Sequence, residues 1–408
     1  MIHIFTITAR NYLSLALTLG DSVARHHPEV RFTIFVADGL DDIESSTLPH
    51  PVEDARSAIG TAFNADLPFK YNITEFCTAI KPALFRHLFA RSPETDLVFY
   101  LDPDTYLFDR LDPVVEAEPT KTLFLSPHLL DCRLADDHPY PEYKHLWEGI
   151  FNLGFCAIQR SPASDTIIDW WDRRLQNYCY ADFQDGLHTD QKWMDYAPAF
   201  FGKDLSICRH YGINVAHWNL IERQPVLCGN KFFTSEHQQP LIFFHFSGFD
   251  FKGKSLTKHV PVDLQRYIDS NITKLADDYR AAVLSNGYDQ FIKIPYRYAS
   301  YSDSTPVSQL HRRLFRMLGV STPNDPFSAT GGFRRAIDRA GLLDASPAAA
   351  KSHSAATVPN IDFLNKRAQW MLKIALRVLG PRRYAYLIKF FGRYSRYEAH
   401  SFLLEKPR

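Results

Sequence analysis

Residues 98–108, VFYLDPDTYLF, place two carboxylates, Asp102 and Asp104, on either side of Pro103, directly after a run with the composition of a buried strand. Interior carboxylates are costly unless a partner answers their charge. Hard oxygen donors of this kind suit Mn2+ or Mg2+, ions usually shared with phosphates. An Asp-Pro-Asp turn closing a strand is the plain alternative, because both residue types are common in turns. Further chemistry-bearing groups recur along the chain: Thr8, Ala9, Asn11 and Tyr12 in TITARNY, Lys81 in TAIKPALF, Asn152 and Gly154 in FNLGF, Asp190 and Gln191 in HTDQKW, and His245 and Gly248 in HFSG, followed by Lys252 and Lys254. A Tyr ring can stack on a nucleobase while amide and hydroxyl groups bond its edge. A lysine before a first-turn proline stands at a helix amino end, where phosphates bind. An amide beside a glycine offers both donor and acceptor to sugar hydroxyls at close approach. A neutral imidazole is a suitable third ligand beside two carboxylates. Each group also has an ordinary use: Asn11 as an N-cap with Tyr12 in the core, Lys81 on the surface, an Asn/Gly turn, Thr189 or Asp190 as an N-cap, His245 as a satisfied strand-end polar residue.

The elements that must position these groups follow from periodicity. A strand is expected over 3–8, a helix over 11–25, a second strand over 31–37, a helix over 82–90 and a strand over 97–101. That alternation implies an α/β fold with a mostly parallel sheet flanked by helices. In such sheets ligands sit beyond the carboxyl ends of the strands, where Thr8–Asn11 and Asp102–Asp104 both fall. Later strands are expected over 122–125, 155–159 and 240–246, with a helix over 166–179. Residues 214–223, NVAHWNLIER, read either as part of an acceptor cleft or as a surface strand with Trp218 packed inward. A catalytic domain over 1–300 is expected, then an extension and flexible linker over 301–360, rich in Ala, Ser and Pro after residue 343, and a basic amphipathic helical tail over 361–408.

At 408 residues the chain can build one large α/β domain with an appendage. Its formal net charge is zero, which names no partner, but residues 361–408 hold 11 Lys or Arg against 3 acids, a net of +8 that leaves −8 for residues 1–360. Six cysteines without a CxxC pair argue against a cysteine zinc site and a disulfide framework, and fit free thiols in a reducing compartment. The first residues lack the basic run of a signal peptide, and no apolar run approaches the ~20 residues of a membrane span. A cytoplasmic protein, at most peripheral at the inner face of the cell membrane, is the expectation.

Taken in order, the motifs resemble the GT-A fold nucleotide-sugar glycosyltransferases, most nearly glycosyltransferase family 8 and related bacterial polysaccharide sugar transferases, over about residues 1–260. The resemblance implies that Thr8, Ala9, Asn11 and Tyr12 receive the nucleotide, that Asp102, Asp104 and His245 hold Mn2+ or Mg2+, and that Lys81, Gly154, Gly248 and Lys252 or Lys254 lie along the donor, with Asp102 touching it too. It implies that Asn152, Asp190 and Gln191 meet the transferred sugar. The donor implied is a nucleoside-diphosphate sugar, UDP-linked by family habit, and the acceptor a glycan or lipid-linked saccharide. Retention follows if the acceptor attacks from the leaving-group face near Gln191; inversion needs a carboxylate base, for which Asp190 is the candidate. The sequence departs from the family in FDFKGK, which lacks the K-P-W that often follows the histidine motif.

Two other classes fit parts of the pattern. A haloacid-dehalogenase phosphatase uses D-x-D-x-T/V, but Tyr106 stands at the last position. A non-catalytic nucleotide- or glycan-binding module would keep the fold without the chemistry. The tail, broken at Gly380-Pro381, reads as amphipathic helices for an anionic membrane surface, or equally as a helical pair packed on protein. Nothing in the pattern suggests nucleic acid as a partner.

Overall fold

The computed structural model describes all residues except 42, 61, 62, 64, 133–141, 254, 255, 259–266, 319–324, 344–360 and 405–408. Lys254 and most of the expected linker therefore lie outside the described residues.

The chain forms two compact units, one of residues 1–63 and 73–296, the other of residues 64–72 and 297–408. The first is built on β1 (Ile2–Thr8), β2 (Arg31–Val36), β3 (Val52–Asp54), β4 (Leu97–Leu101), β5 (Thr105–Leu107), β6 (Leu123–Pro127) and β7 (Phe151–Gln159). It continues with β8 (Ala181–Asp182), β9 (Leu187–His188), β10 (Leu205–Ile207), β11 (Val215–Ala216), β12 (Pro225–Cys228), β13 (Lys231–Thr234) and β14 (Phe243–His245). Seven strands make the main sheet in the order β10-β6-β7-β4-β1-β2-β3. All neighbours are parallel except β7, which runs antiparallel to both β4 and β6. The expected α/β architecture is the one found.

Both faces of this sheet are covered, which is why β1 and β4 are buried nearly throughout instead of alternating between buried and exposed. Ile4, Ile34, Phe99 and Phe155 share one core with Leu13 and Leu17 of the helix Leu13–His26. On the other face Phe5 meets Phe85, from the helix Lys81–Arg91, and Tyr100 edge-on at 5.0 and 5.2 Å, and Trp171, from the helix Ser164–Tyr178, lies behind Phe85. Such aromatic pairs add roughly 1 kcal/mol each beyond their burial.

A second, three-stranded sheet, β11-β14-β5, decides where the site forms. The chain leaves β4 at Leu101, turns through Asp102-Pro103-Asp104, and enters β5 with Thr105 opposite His245 of β14. The Thr105 backbone N–H and hydroxyl both donate to the Asp102 carbonyl, and the Phe246 N–H donates to the Asp104 carbonyl. The turn reading of Asp-Pro-Asp is thus correct as local structure, and it is also what aims two carboxylates at a third strand.

Two expected spans differ. β7 begins at Phe151, not 155, so FNLGF is strand with a register shift opposite Leu125 and Pro127. The apolar run 240–246 is strand only over Phe243–His245, because Phe108 and Asp109 N–H groups take the Ile242 carbonyl at the edge of the pairing.

The second unit holds a core of Phe69, Tyr301, Val307, Leu314, Phe315, Phe333 and Ile337. Arg312, buried within it, donates to the carbonyls of Pro68, Phe69, Tyr71 and Tyr298. Its helix Ile361–Arg393 is broken at Gly380, whose φ of 70° and ψ of 165° leave the helical region, with Pro381 next. Among the described residues no helix is long and apolar enough to cross a membrane.

Candidate functional site

The register of β5 against β14 brings His245 Nε2 to 3.2 Å from Asp104 Oδ1 and 3.8 Å from Asp102 Oδ2. One donor atom from each of the three lies within 4.8 Å of the others. His245 is buried, whereas the two carboxylates keep about a quarter of their side-chain surface open, so the cluster has a protein wall and an accessible front. The imidazole fits in only because residue 154 is glycine: a Cβ there would stand 2.3 Å from His245 Cε1 and 2.7 Å from Nδ1. His245 Nδ1 is buried with no hydrogen-bond partner among the described residues. Burial works against a charged imidazole, but Asp104 and then Asp102 outweigh it and raise the His245 pKa. An oxygen-rich, anionic set with one nitrogen fits a divalent cation of the Mn2+ or Mg2+ kind.

Behind the pair lies a second layer. Lys81, 1% exposed, places Nζ 2.8 Å from Asp190 Oδ2, 3.8 Å from Asp102 Oδ1 and 4.2 Å from the Tyr100 ring centroid, and donates to the Leu153 carbonyl at 2.8 Å. Burial disfavours its charge, but Asp190 and Asp102 hold the Lys81 pKa above its ordinary value. Burial likewise raises Asp190, against the pull of Lys81. The Tyr100 hydroxyl donates to Asp102 Oδ1 at 2.5 Å. In this structure the Lys81 ammonium is enclosed by Asp190, Asp102 and the Leu153 carbonyl.

Asp190 reaches this spot from a strained approach. β8 and β9 form a short hairpin, and Thr189, which follows, has a φ of 48°. For a β-branched residue that conformation costs on the order of 1–3 kcal/mol and persists only where the surroundings enforce it. The Thr189 N–H is held by the Tyr180 carbonyl, and its hydroxyl donates to Asp190 Oδ1. Gln191 opens the next turn, its amide nitrogen donating to the Glu148 carbonyl at 2.7 Å and its oxygen accepting from Leu153 N–H at 3.4 Å. Asn152 Oδ1 accepts from the Gly154 N–H and from Asn214 Nδ2, both at 3.1 Å. Asp190, Gln191 and Asn152 are all nine-tenths or more buried, and they border the acidic pair through Lys81, Leu153 and Gly154.

At the carboxyl end of β1, Thr8 and Ala9 are buried and the Thr8 hydroxyl donates to the Ala9 carbonyl. Among the described residues Asn11 Oδ1 is buried with no hydrogen-bond partner, and Tyr12 is half-exposed. Burial, then Asp104, raises the Tyr12 pKa. Gly248 has a φ of 66°, which favours glycine, and its carbonyl accepts from Lys258 N–H. Lys252 is exposed on the loop beyond it, with its own N–H bonded to Asp250. The segment 214–220 is fully buried, so the surface-strand reading is corrected; Trp218 stands edge-on to His245 at 5.3 Å.

Several groups escaped the sequence reading. Arg10 and Asp38 form a buried bidentate contact, backbone N–H at 2.9 Å and Nε at 3.3 Å, across the ends of β1 and β2. Both flank strand ends already singled out, which was the available signal. Tyr100 sat inside the quoted strand; His128 had none. A cavity of about 490 Å³ lies at the amino ends of β1 and β2, lined by His3, Arg31 and His50 among others, away from this chemistry.

Comparison with known proteins adds the following. No family model matches the chain. Two curated Bacillus subtilis (strain 168) proteins are similar: uncharacterized protein YfnF, 26% identical over 176 residues, covering 43% of this chain and 57% of that protein, and uncharacterized protein YfnD, 24% identical over 177 residues, covering 43% and 54%. The match thus spans little more than half the length of either relative. Among solved structures, the galactosyltransferase LgtC with donor and acceptor sugar analogs aligns at 15% identity and TM-score 0.37, over 73% of this chain and 99% of that one. The glycosyltransferase GlyE of Streptococcus pneumoniae TIGR4 gives 13% and 0.39, over 74% and 67%. Mouse xyloside xylosyltransferase 1 gives 12% and 0.37, over 60% and 96%. At such scores the likenesses carry no inference about activity.

Proposed function

We propose that this chain is a metal-dependent glycosyltransferase of the GT-A kind, moving a sugar from a nucleoside-diphosphate donor, with UDP the expected nucleotide, to a glycan or lipid-linked acceptor. The observation that carries the reading is His245 closing on Asp102 and Asp104 at the carboxyl ends of a mostly parallel sheet. Asp102, Asp104 and His245 hold the cation; when bound it supplies positive charge where the leaving diphosphate becomes more negative, an effect typically worth several kcal/mol. Tyr12 stacks on the base and Asn11 Oδ1 accepts from its edge. Lys81 fixes Asp190 and Asp102 so that the carboxylates do not fold away.

In the transfer, the bond between the anomeric carbon and the diphosphate oxygen breaks and a bond to the acceptor oxygen forms, with the acceptor proton passing to the departing phosphate. Asn152, Asp190 and Gln191 shape the wall on which the sugar lies. The Asn152 and Gln191 amides are already engaged with backbone and neighbours and the Asp190 carboxylate with Lys81, which suits orientation more than proton transfer and favours retention. The phosphatase alternative is not favoured: an imidazole beside the pair supports cation binding, and Tyr106 breaks that motif.

The tail reading is part of the proposal. The helix Ile361–Arg393 exposes Phe363, Trp370, Met371, Ile374, Phe390 and Phe391 beside Lys366, Lys373, Arg377, Arg382, Arg383 and Lys389, a pairing that suits an anionic lipid surface and a lipid-linked acceptor.

The test is release of nucleoside diphosphate from a panel of nucleotide sugars, with and without Mn2+, by the full chain and by Asp104→Ala. Release that requires the ion and is lost in the variant supports the reading; turnover equal in both contradicts it.

A further inference from the structure

A second cluster of donor atoms lies beside the first. Among the described residues, His128, His145 and Glu148 each place one donor atom within 4.8 Å of the others. None of them serves the acidic pair. His128 and His145 are buried at 3% and 8% exposure, their rings stacked with centroids 4.5 Å apart and 24° between planes. His145 Nδ1 is 3.4 Å from Glu148 Oε2.

The surroundings of His128 select a tautomer. Its Nδ1 is 3.3 Å from the Ile150 carbonyl, which can only accept, so the proton is assigned to Nδ1 and the lone pair to Nε2. A ring N–H committed to a backbone carbonyl is the usual support of a metal-binding imidazole. Nε2 then faces the Asn152 amide nitrogen at 3.4 Å, a long contact that an ion could replace. Two imidazole nitrogens and one carboxylate make the donor set of a three-ligand site for a borderline-soft ion, with one position left open.

We propose that His128, His145 and Glu148 bind a second divalent cation of the Zn2+ type. The inference goes beyond the glycosyl-transfer reading and does not rest on it. Its consequence is mechanical. His128 follows β6, whereas His145 and Glu148 lie on the short helix Tyr143–Glu148, which Gly149 ends at a φ of 114°. An ion bound to all three ties that helix to the end of β6. The Glu148 carbonyl is the acceptor for Gln191, and Asn152 lies against His128, so the same ion braces two side chains on the wall of the first site.

The test uses the full chain, stripped with chelator and equilibrated with excess Zn2+ alone, no nucleotide present, then desalted and assayed for bound metal. Whatever the acidic pair takes up, His145→Ala is expected to hold one ion fewer than wild type, and Asp104→Ala to keep at least one. A parallel titration with Co2+ follows visible absorption, which the nitrogen-rich site should give in wild type and in Asp104→Ala but not in Glu148→Gln. Because Glu148 is partly exposed, that variant carries the comparison should His145→Ala not fold. Unchanged stoichiometry and Co2+ spectrum in Glu148→Gln and in whichever histidine variant folds would overturn the proposal, as would a single ion in wild type that Asp104→Ala abolishes.

Discussion

Lys81 and Asp190 share a buried ion pair at 2.8 Å with almost no access to water. A lone buried charge is far more costly than a pair, and removing one partner of such a pair typically costs 3–5 kcal/mol. Lys81→Met should therefore lose about that much stability in urea unfolding, and adding Asp190→Asn should restore a substantial part. Strictly additive losses in the double variant would show that the pair is not coupled. The acidic pair was legible in the sequence because two carboxylates after an apolar run demand an explanation. The burial of Lys81 was not, since it depends on Asp190, Asp102 and the Leu153 carbonyl arriving from three distant segments. Arg10 and Asp38 escaped for the same reason: neither residue is unusual until β1 and β2 lie side by side.

At the scale of elements, the site depends on one pairing. A slip of one residue between β5 and β14 would turn His245 away from the carboxylates, because side chains alternate along a strand. Gly154 in β7 guards the same geometry from behind. Gly154→Ala places a methyl group 2.3 Å from the His245 ring, so Mn2+ affinity measured by calorimetry should fall roughly 10–100-fold while the fold survives. Unchanged affinity would mean that His245 is not held by this contact. The other end of the sheet carries a pH effect. Burial, then Arg91 and Arg31, lower the His3 pKa from 6.5 to about 4. Between those values the unfolded chain binds a proton at this position that the folded one does not, so stability falls as pH falls. His3→Gln should lose up to roughly 3 kcal/mol less than wild type between pH 7 and pH 4 in denaturant titrations; parallel curves would refute it. The parallel sheet could be anticipated from strand and helix alternation. The shortened β14 and lengthened β7 could not, because their ends are set by bonds from Phe108 and Asp109 and by the register shift at Leu125 and Pro127.

For the whole molecule, the acidic pair and its imidazole lie in the first unit, and the helix Ile361–Arg393 with its basic and aromatic surface in the second. Vesicles containing anionic lipid should float the full chain but not a chain ending at residue 360, and raised salt should weaken the association. Equal flotation of the two would remove the membrane role of the tail. The composition of this tail was plain in the sequence. The segment 64–72, by contrast, belongs to the second unit because Phe69 packs into that unit's core and Arg312 collects the segment's carbonyls, which no local pattern reveals. The most direct measurement is calorimetric binding of UDP to the full chain with and without Mn2+. Tight binding that needs the ion, and that vanishes in Asp104→Ala and weakens strongly in His245→Ala, is the predicted result. Binding of UDP that is indifferent to Mn2+ and to both substitutions would contradict a cation held between Asp102, Asp104 and His245.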